Sequence, residues 1–184
     1  MNPITINLKD GQEAVLRNIA VEDAEKMIPF VQGSDTESRF LAREPGEFTM
    51  TAVQERDFIR ARLEDPRSLW LVAEVNGEIV ASCNASPLRN LQRFRHRALL
   101  AVAVRQAYWR QGIGRRMMAE VLLWCKEKGY EQAELDVAAD NEAATAMYES
   151  LGFETTGVYK NGFKYSEGTY ADEYFMWLPL SKIH

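Results

Sequence analysis

The stretch that most constrains this 184-residue chain is A-L-L-A-V-A-V-R-Q-A-Y-W-R-Q-G-I-G, at residues 98–114. An apolar run ends at Val104, a short polar segment follows, and Gly112-Ile113-Gly114 opens a segment with helical periodicity. A strand, a glycine turn and a helix start, in this order, present the unpaired first amides of the helix to an anion. Glycines allow close approach of the backbone because they carry no Cβ. The stretch therefore predicts a phosphate-binding turn.

Two widespread phosphate loops do not fit this turn. The chain has no G-x-x-x-x-G-K-[ST] sequence, and a dinucleotide fingerprint needs a third glycine where Met117 stands. Arg110, Arg115 and Arg116 surround the glycines and add positive charge. The alternative interpretation is a tight strand–helix turn that binds no ligand. If the turn binds a phosphate, the ligand is predicted to be neither ATP in such a loop nor NAD.

Length and composition exclude several classes of protein. A length of 184 residues predicts one domain over residues 1–184 with a single core. The net charge of −5, from 22 basic and 27 acidic residues, argues against a nucleic-acid partner. No apolar run approaches the ~18 residues of a membrane span, and no signal peptide is recognisable, so a cytoplasmic location without membrane contact is expected. Two cysteines and two histidines predict no disulfide framework and no metal site.

Hydrophobic periodicity predicts a single-domain α/β fold with a mixed, mostly antiparallel sheet and helices on both faces. Strands are expected at 4–8, 13–19, 69–75, 78–86, 98–104 and 132–138, and helices at 21–31, 51–63, 112–128 and 141–151. The strongest local signal is the two-residue hairpin turn Asn76-Gly77. Residues 32–50 are expected to be irregular, and the tail from 153 to 180 to form two strands around a loop at 157–168. The β-α-β unit over 98–138 predicts a central parallel pair.

The segment from Ala98 to Pro179 resembles the GNAT superfamily of acyl-CoA-dependent N-acetyltransferases. The matching features are A-V-A-V, then W-R-Q-G-I-G leading into a helix, then D-N-E-A-A-T-A-M-Y-E-S-L-G-F about thirty residues later. The closing G-T-Y-A-D-E-Y-F-M-W-L-P-L is similar to the branch that contains ribosomal-protein and polyamine acetyltransferases. The resemblance implies a GNAT-like fold and acetyl-CoA as the acyl donor, without a metal.

The resemblance also implies which residues hold the cofactor. The backbone of Val102, Ala103 and Val104 is implied to pair with its pantetheine arm. The residues implied to hold its pyrophosphate are Arg110, Gln111, Gly112, Ile113, Gly114 and Arg115. Asn141 stands where the family places an Asn that touches the pantetheine. An equally good interpretation is a helix cap, which Asp140 or Asn141 could supply, and the two roles are compatible.

Tyr148 stands where the family places its general acid. Transfer of the acyl group to an amine expels a CoA thiolate, and a phenol with a pKa of about 10 can protonate a thiolate whose conjugate thiol has a pKa of about 8.5. The alternative is a core tyrosine, because Tyr148 shares one helical face with Ala144 and Leu151. The amine is expected to attack the thioester directly, since Cys83 and Cys125 lie in apolar segments.

Two positions depart from the family pattern. Trp109 stands where the loop usually opens with Gln or Arg, which is familiar in the ribosomal-protein branch. Leu99 replaces a strand glutamate that belongs to the base machinery of many relatives. The general base therefore stays open among water and four side chains, which are Glu74, Glu78, His96 and Asp136.

Three functions are compatible with these motifs. The first is transfer of an acetyl group from acetyl-CoA to a primary amine, either a small cationic amine or a protein N-terminus. The second is a non-catalytic acyl-CoA-binding or regulatory module, suggested by Leu99. The third is a nucleic-acid or ribosome-binding protein, suggested by the basic segment 89–97, although a solvated basic hairpin fits the net charge better. A homodimer is left open.

The acceptor is expected to enter between segment 32–50 and segment 157–173. Their carboxylates are Asp35, Glu37, Glu44, Glu47, Glu167, Asp172 and Glu173, against four cations, Arg39, Arg43, Lys160 and Lys164. Their aromatic residues are Phe40, Tyr159, Phe163 and Tyr170. Excess negative charge at a cleft attracts cations. The alternative is that these are ordinary surface charges.

Overall fold

The computed structural model describes residues 1–183, which form eight strands and four α-helices. The strands are β1 (Ile4–Asn7), β2 (Glu13–Asn18), β3 (Leu69–Val75), β4 (Glu78–Pro87), β5 (Arg97–Val104), β6 (Gln132–Ala138), β7 (Glu154–Lys164) and β8 (Tyr170–Pro179). The helices are α1 (Ala24–Glu37), α2 (Ala52–Glu64), α3 (Ile113–Glu127) and α4 (Glu142–Ser150). None of the helices within residues 1–183 is long and apolar enough to cross a membrane.

The chain divides into two compact units, and β5 and α3 each contribute residues to both. Unit 1 comprises Met1–Ala85 with Ala101–Val121, and unit 2 comprises Ser86–Leu100 with the chain from Leu122 onward. The single domain expected from chain length stays a prediction.

In unit 1, β1, β2, β3 and β4 pair in that order and are all antiparallel. The hairpin between β3 and β4 has the predicted turn. Asn76 and Gly77 have φ values of 50° and 84°, the left-handed conformation that a two-residue hairpin turn needs at both positions. The predicted strands of this unit are confirmed to within one or two residues at most of their ends.

Helices cover both faces of the unit 1 strands, as predicted. On one face, Met27 and Phe30 of α1 and Ile59 of α2 pack with Val72 and Ile79 in a buried cluster. On the other face, the Cys83 sulfur of β4 lies 3.6 Å from the Met118 sulfur of α3. The alternating side chains of β3 and β4 therefore supply two apolar layers.

Helix α1 extends six residues beyond the predicted end at residue 31, so the expectation of an irregular segment from residue 32 is wrong for its first part. A long-range ion pair fixes the last turn, because Arg105 donates to Glu37 at 2.7 Å. Gly33 makes room for this pair, since a Cβ there would lie 2.6 Å from the Arg105 guanidinium carbon. Hydrophobic periodicity carries no information about such a partner.

A buried carboxylate holds the irregular segment that follows α1. Asp35 is 3% exposed, and Arg43 donates to its two oxygens at 2.8 and 3.0 Å. The Arg43 guanidinium also lies 5.6 Å from the centre of the Phe48 ring. The segment is therefore fixed to α1 by a bidentate pair whose acid is inside the protein and whose base is half-exposed.

The Arg43→Ala variant is expected to lose about 1–3 kcal/mol of unfolding free energy, because Asp35 then keeps a buried charge without its cation. Urea denaturation followed by circular dichroism measures this loss. The control is Arg60→Ala, which breaks the exposed pair with Asp57 and should cost less than about 1 kcal/mol. Equal losses in the two variants would contradict the structural role of the Asp35 pair.

In unit 2, the strands pair in the order β5, β6, β8, β7. β5 and β6 are parallel, with Arg97 beside Gln132 and Leu99 beside Glu134, whereas the other pairs are antiparallel. The parallel ladder ends there, although β6 continues to Ala138. The predicted mixed, mostly antiparallel fold with a central β-α-β unit is confirmed.

The predicted loop at 157–168 is wrong, because β7 continues through most of it to Lys164. The strand is bulged where Asn161 has a φ of 55° and the register with β8 shifts. Asp172 of β8 stabilises the bulge by accepting hydrogen bonds from the Asn161 amide at 3.0 Å and from Lys160 at 2.7 Å. The true turn is at 165–169. The polar composition of this part of β7 concealed the strand from prediction, because a bulge interrupts the alternation of apolar and polar side chains.

Candidate active site

The turn after β5 is held by hydrogen bonds on both of its sides. The Arg105 amide donates to the Val80 carbonyl at 2.9 Å, and the Trp109 indole donates to the Val104 carbonyl at 2.6 Å. Residues 106–108 form a 3₁₀ turn between these two anchors. Trp109, the unusual residue of the loop, therefore ties the loop to the end of the strand.

The start of α3 has the geometry of an anion site. Its first helical hydrogen bond runs from the Arg116 amide to the Gly112 carbonyl at 3.0 Å, so the amides of Ile113 and Gly114 precede the hydrogen-bond ladder of the helix. Gly112 has a φ of 91°, and no atom lies within 4 Å of the position that a Cβ would take. The turn thus offers backbone donors and open space, as the sequence predicts.

Two side chains of the loop add to this site. Arg110 is exposed and makes no ion pair with any residue in the described range 1–183. Gln111 has a buried Oε1 atom without a hydrogen-bond partner among those residues. A 180° flip of this amide places an N–H donor at the same point, which suits a phosphate oxygen. The residues present therefore fit the pyrophosphate of an acyl-CoA.

The Gly112→Val variant is expected to raise the Kd for acetyl-CoA at least about tenfold, measured by calorimetry. A β-branched residue at a φ of 91° is strained by about 1–2 kcal/mol, and its methyl groups enter the space above the amides. Gly11→Val is the matched control, because Gly11 has a φ of 87° in the open β1–β2 turn of the same unit. If both variants bind acetyl-CoA as the wild type does, the phosphate-loop assignment is wrong.

In unit 2, Asn141 and Tyr148 lie at the two ends of α4. The Asn141 side chain accepts a hydrogen bond from the Ala144 amide at 3.2 Å, which confirms its role as helix cap. Tyr148 is 7% exposed, and its ring packs edge-on against Phe153 with centroids 5.9 Å apart. Their roles toward a cofactor and a thiolate stay predictions, as do those of Val102, Ala103 and Val104.

Two carboxylates project from the same face of β6, because Glu134 and Asp136 are two residues apart. Glu134 is bound by Arg97 through two hydrogen bonds of 2.5 Å and by Gln132 at 2.6 Å. Burial opposes the charge of Glu134, but these donors outweigh it and hold its pKa below the usual value. Glu134 is therefore a structural carboxylate rather than a proton acceptor.

Asp136 has a different partner, the Glu173 carboxyl on β8. Burial raises the pKa of Glu173, and the charge of Asp136 and a hydrogen bond to it raise that pKa further. Gly162 leaves the space for this pair, since a Cβ there would lie 2.6 Å from the Glu173 Cβ atom. Sequence analysis missed the role of Gly162. The signal available for the carboxyl pair was Glu134-x-Asp136, two acids on the polar face of an alternating strand.

A groove of about 590 Å³ lies on this face of β5, β6 and β8. Leu135 and Met176 are buried and also border the groove. The other residues that line it include Leu99, Glu134, Asp136, Phe175, Trp177 and Arg89. Leu99, which replaces the family's strand glutamate, is thus part of the wall of a groove that contains another carboxylate.

The other base candidates lie in different surroundings. Glu74 accepts hydrogen bonds from Arg17 at 2.6 Å, and these bonds lower its pKa. Glu78 is exposed at the start of β4. His96 contributes its carbonyl, which accepts the Glu131 amide at 2.9 Å, to the start of β6. Of the four side chains, Asp136 is the one that borders the groove.

The carboxylates expected to attract the acceptor are partly engaged. Asp35 binds Arg43, Glu37 binds Arg105, and Asp172 binds Lys160. The excess of negative charge inferred from counting residues is correspondingly smaller. Among the aromatic residues of these segments, Tyr159 packs against Phe175 with ring centroids 5.3 Å apart.

Both cysteines are buried. Burial raises the pKa of the Cys125 thiol to about 12, so a thiolate is strongly disfavoured there.

Two arginines of the basic segment 89–97 have partners within the protein. Arg97 is bound to Glu134, and the Arg89 guanidinium lies 4.9 Å from the centre of the Phe94 ring.

A family model and known proteins match this chain in sequence. A model of the Acetyltransferase (GNAT) family matches residues 34–153, more than half of the chain. A [ribosomal protein bS18]-alanine N-acetyltransferase from Escherichia coli (strain K12) is 36% identical over 83 residues, which are 45% of this chain and 55% of that protein. The chain therefore spans about half the length of the curated relatives that it matches.

Solved structures agree over nearly the whole chain. An acetyltransferase of the GNAT family from Streptococcus pneumoniae has a TM-score of 0.86 at 24% identity, over 90% of this chain and 99% of that one. A phosphinothricin acetyltransferase from Sinorhizobium meliloti, solved with acetyl-CoA, has a TM-score of 0.78 at 20% identity, over 90% and 88% of the two chains. The fold is thus the one shared by these acetyltransferases. The chain belongs to the Acetyltransferase (GNAT) family.

Proposed function

We propose that the protein is an acetyl-CoA-dependent N-acetyltransferase that acts on a primary amine. The observation that carries this proposal is the turn at Gly112, where the first amides of α3 adjoin the open space at Gly112 and the exposed Arg110. Family membership supports it, as do the names of relatives that acetylate amines. The acetyl-CoA in the Sinorhizobium meliloti structure supports the choice of acyl donor.

The reaction is a direct transfer. The amine nitrogen attacks the thioester carbonyl carbon, the new C–N bond forms, and the C–S bond breaks to release the CoA thiolate. Tyr148 donates its phenolic proton to that thiolate, and the proton lost by the amine goes to a base. The buried Cys83 and Cys125 are poor nucleophiles, which supports a route without an acyl-cysteine.

Asp136 is the base in this proposal. It is exposed in a groove, whereas Glu74 is bound to Arg17 and Glu134 is bound to Arg97. Its partner Glu173 has a pKa that is raised by burial and by the charge of Asp136, which shows that the two carboxyl groups interact.

The test is release of free thiol from acetyl-CoA by the purified full-length protein. The amines are a polyamine, an aminoglycoside, a free amino acid and a peptide with a free N-terminus, with mass spectrometry of each product. Thiol release that depends on an amine, with one acetyl group added, is expected. Binding of acetyl-CoA without amine-dependent release would favour the non-catalytic module instead.

A further inference from the structure

We infer that the groove on β5, β6 and β8 binds the acceptor, and that the acceptor is an extended peptide with a free N-terminus, apolar first residues and an acidic side chain near its fourth residue. This inference rests on the proposed function and names the substrate class for it. It differs from the entrance expected from residue counts, because the charges in the groove, and not those of segment 32–50, determine it.

The two ends of the groove carry opposite charges. Asp136 borders one end of the groove, and its neighbour is the Glu173 carboxyl group. Arg97 pairs with Gln132, four residues before Asp136 on β6, and the Leu88 amide donates to the Arg97 carbonyl at 3.2 Å. Gln132 is about 13 Å from Asp136 along β6 at the rise of a strand. Arg89 lies at this other end of the groove, next to Arg97. An extended peptide covers that distance with about four residues.

The floor between these ends is apolar. Phe175, Trp177 and Leu99 are half-buried there, beside the neutral pair of Arg97 and Glu134. An extended peptide presents alternate side chains to such a surface, and aromatic residues supply large contact area at it. The floor thus suits apolar side chains that follow a free α-amine.

Arg89 is the cation left for a ligand. Its guanidinium contacts the Phe94 ring but no carboxylate within residues 1–183, and the residue is exposed. An acidic side chain of a peptide pairs with it, whereas the second and third charges of a polyamine are repelled there. Charge complementarity therefore favours a peptide over a small polycation.

The experiment compares two peptides, Ala-Ile-Phe-Glu-Gly-Ser and Ala-Ile-Phe-Lys-Gly-Ser, by thiol release with the full-length protein. The wild type is expected to use the Glu peptide with a kcat/KM about three- to fivefold higher, the range of an exposed ion pair. Arg89→Glu is expected to reverse that preference. Arg93→Glu makes the same change of net charge at an exposed position of the same segment outside the groove, and should keep the wild-type preference.

Trp177→Ala provides a second readout. It is expected to raise the KM for both peptides about tenfold or more and to leave the KM for acetyl-CoA unchanged. Equal kcat/KM values for the two peptides in the wild type and in Arg89→Glu would overturn the inference.

Two further outcomes separate this inference from the proposed function. Faster turnover of spermidine than of either peptide would reject the peptide acceptor but keep the acetyltransferase, whereas thiol release with no amine at all would reject both. A dimer in light scattering that Trp177→Ala dissociates would show that a second copy occupies the groove, and would also overturn the inference.

Discussion

Tyr148→Phe is expected to lower kcat by about 10²–10⁴-fold, the usual contribution of a positioned general acid. The change removes one oxygen atom from a buried ring, and the packing of that ring on Phe153 is kept. The Kd for acetyl-CoA should therefore stay near the wild-type value. Steady-state kinetics with calorimetry of acetyl-CoA binding measures both quantities.

The matched control is Tyr165→Phe in the same unit. Tyr165 is also buried, and its hydroxyl donates to Asp140 at 2.7 Å, so the variant loses a hydroxyl without a proposed role in proton transfer. Its kcat should stay close to that of the wild type. If Tyr148→Phe retains turnover within a factor of a few, Tyr148 is a packing residue and another group protonates the thiolate.

Asp136→Asn is expected to lower kcat by about 10²–10³-fold, because an amide does not accept the proton of the amine. This is the second of the two largest expected effects. Glu78→Gln is the control, since it neutralises an exposed base candidate outside the groove and should keep wild-type turnover. Equal activities of wild type and Asp136→Asn would return the base to water or His96.

The pH profile gives an independent check on the carboxyl pair. Activity that needs ionised carboxyl groups falls as pH is lowered and these groups take up protons. Burial and the charge of Asp136 raise the pKa of Glu173. Glu173→Gln removes this titrating group and its charge, so the acidic limb of kcat/KM should move to lower pH. A limb that stays in place, or moves to higher pH, would contradict the coupling of Asp136 to Glu173.

Sequence reasoning succeeded where the controlling interactions are local. The Asn76-Gly77 hairpin, helix α2 and β6 from Gln132 to Ala138 all match the expectations, and a capping box of Thr51 with Gln54 begins α2. Each is fixed by turn chemistry, capping or alternation within a few residues. The glycine turn before α3 belongs to this group, since a strand, glycines and a helix start adjoin in the chain.

The expectations failed where distant residues decide the conformation. Helix α1 continues past Gly33 because Arg105, 68 residues from Glu37, binds its last turn. β7 continues through residues expected to form a loop because Asp172 stabilises its bulge from the neighbouring strand. Local propensity carries no information about either contact, because the two partners come together only when the chain is folded.

The sequence by itself determined the order of elements, the glycine turn before α3 and the family, because those signals lie within short segments. It left four side chains as candidates for the base, since an acid's partners are unknown until strands pair. The tertiary structure shows that these candidates have different surroundings, because it places Arg17 beside Glu74 and Glu173 beside Asp136. It also formed the groove. The residues that line the groove come from β5, β6, β8 and the segment that contains Arg89, which are remote from one another in sequence.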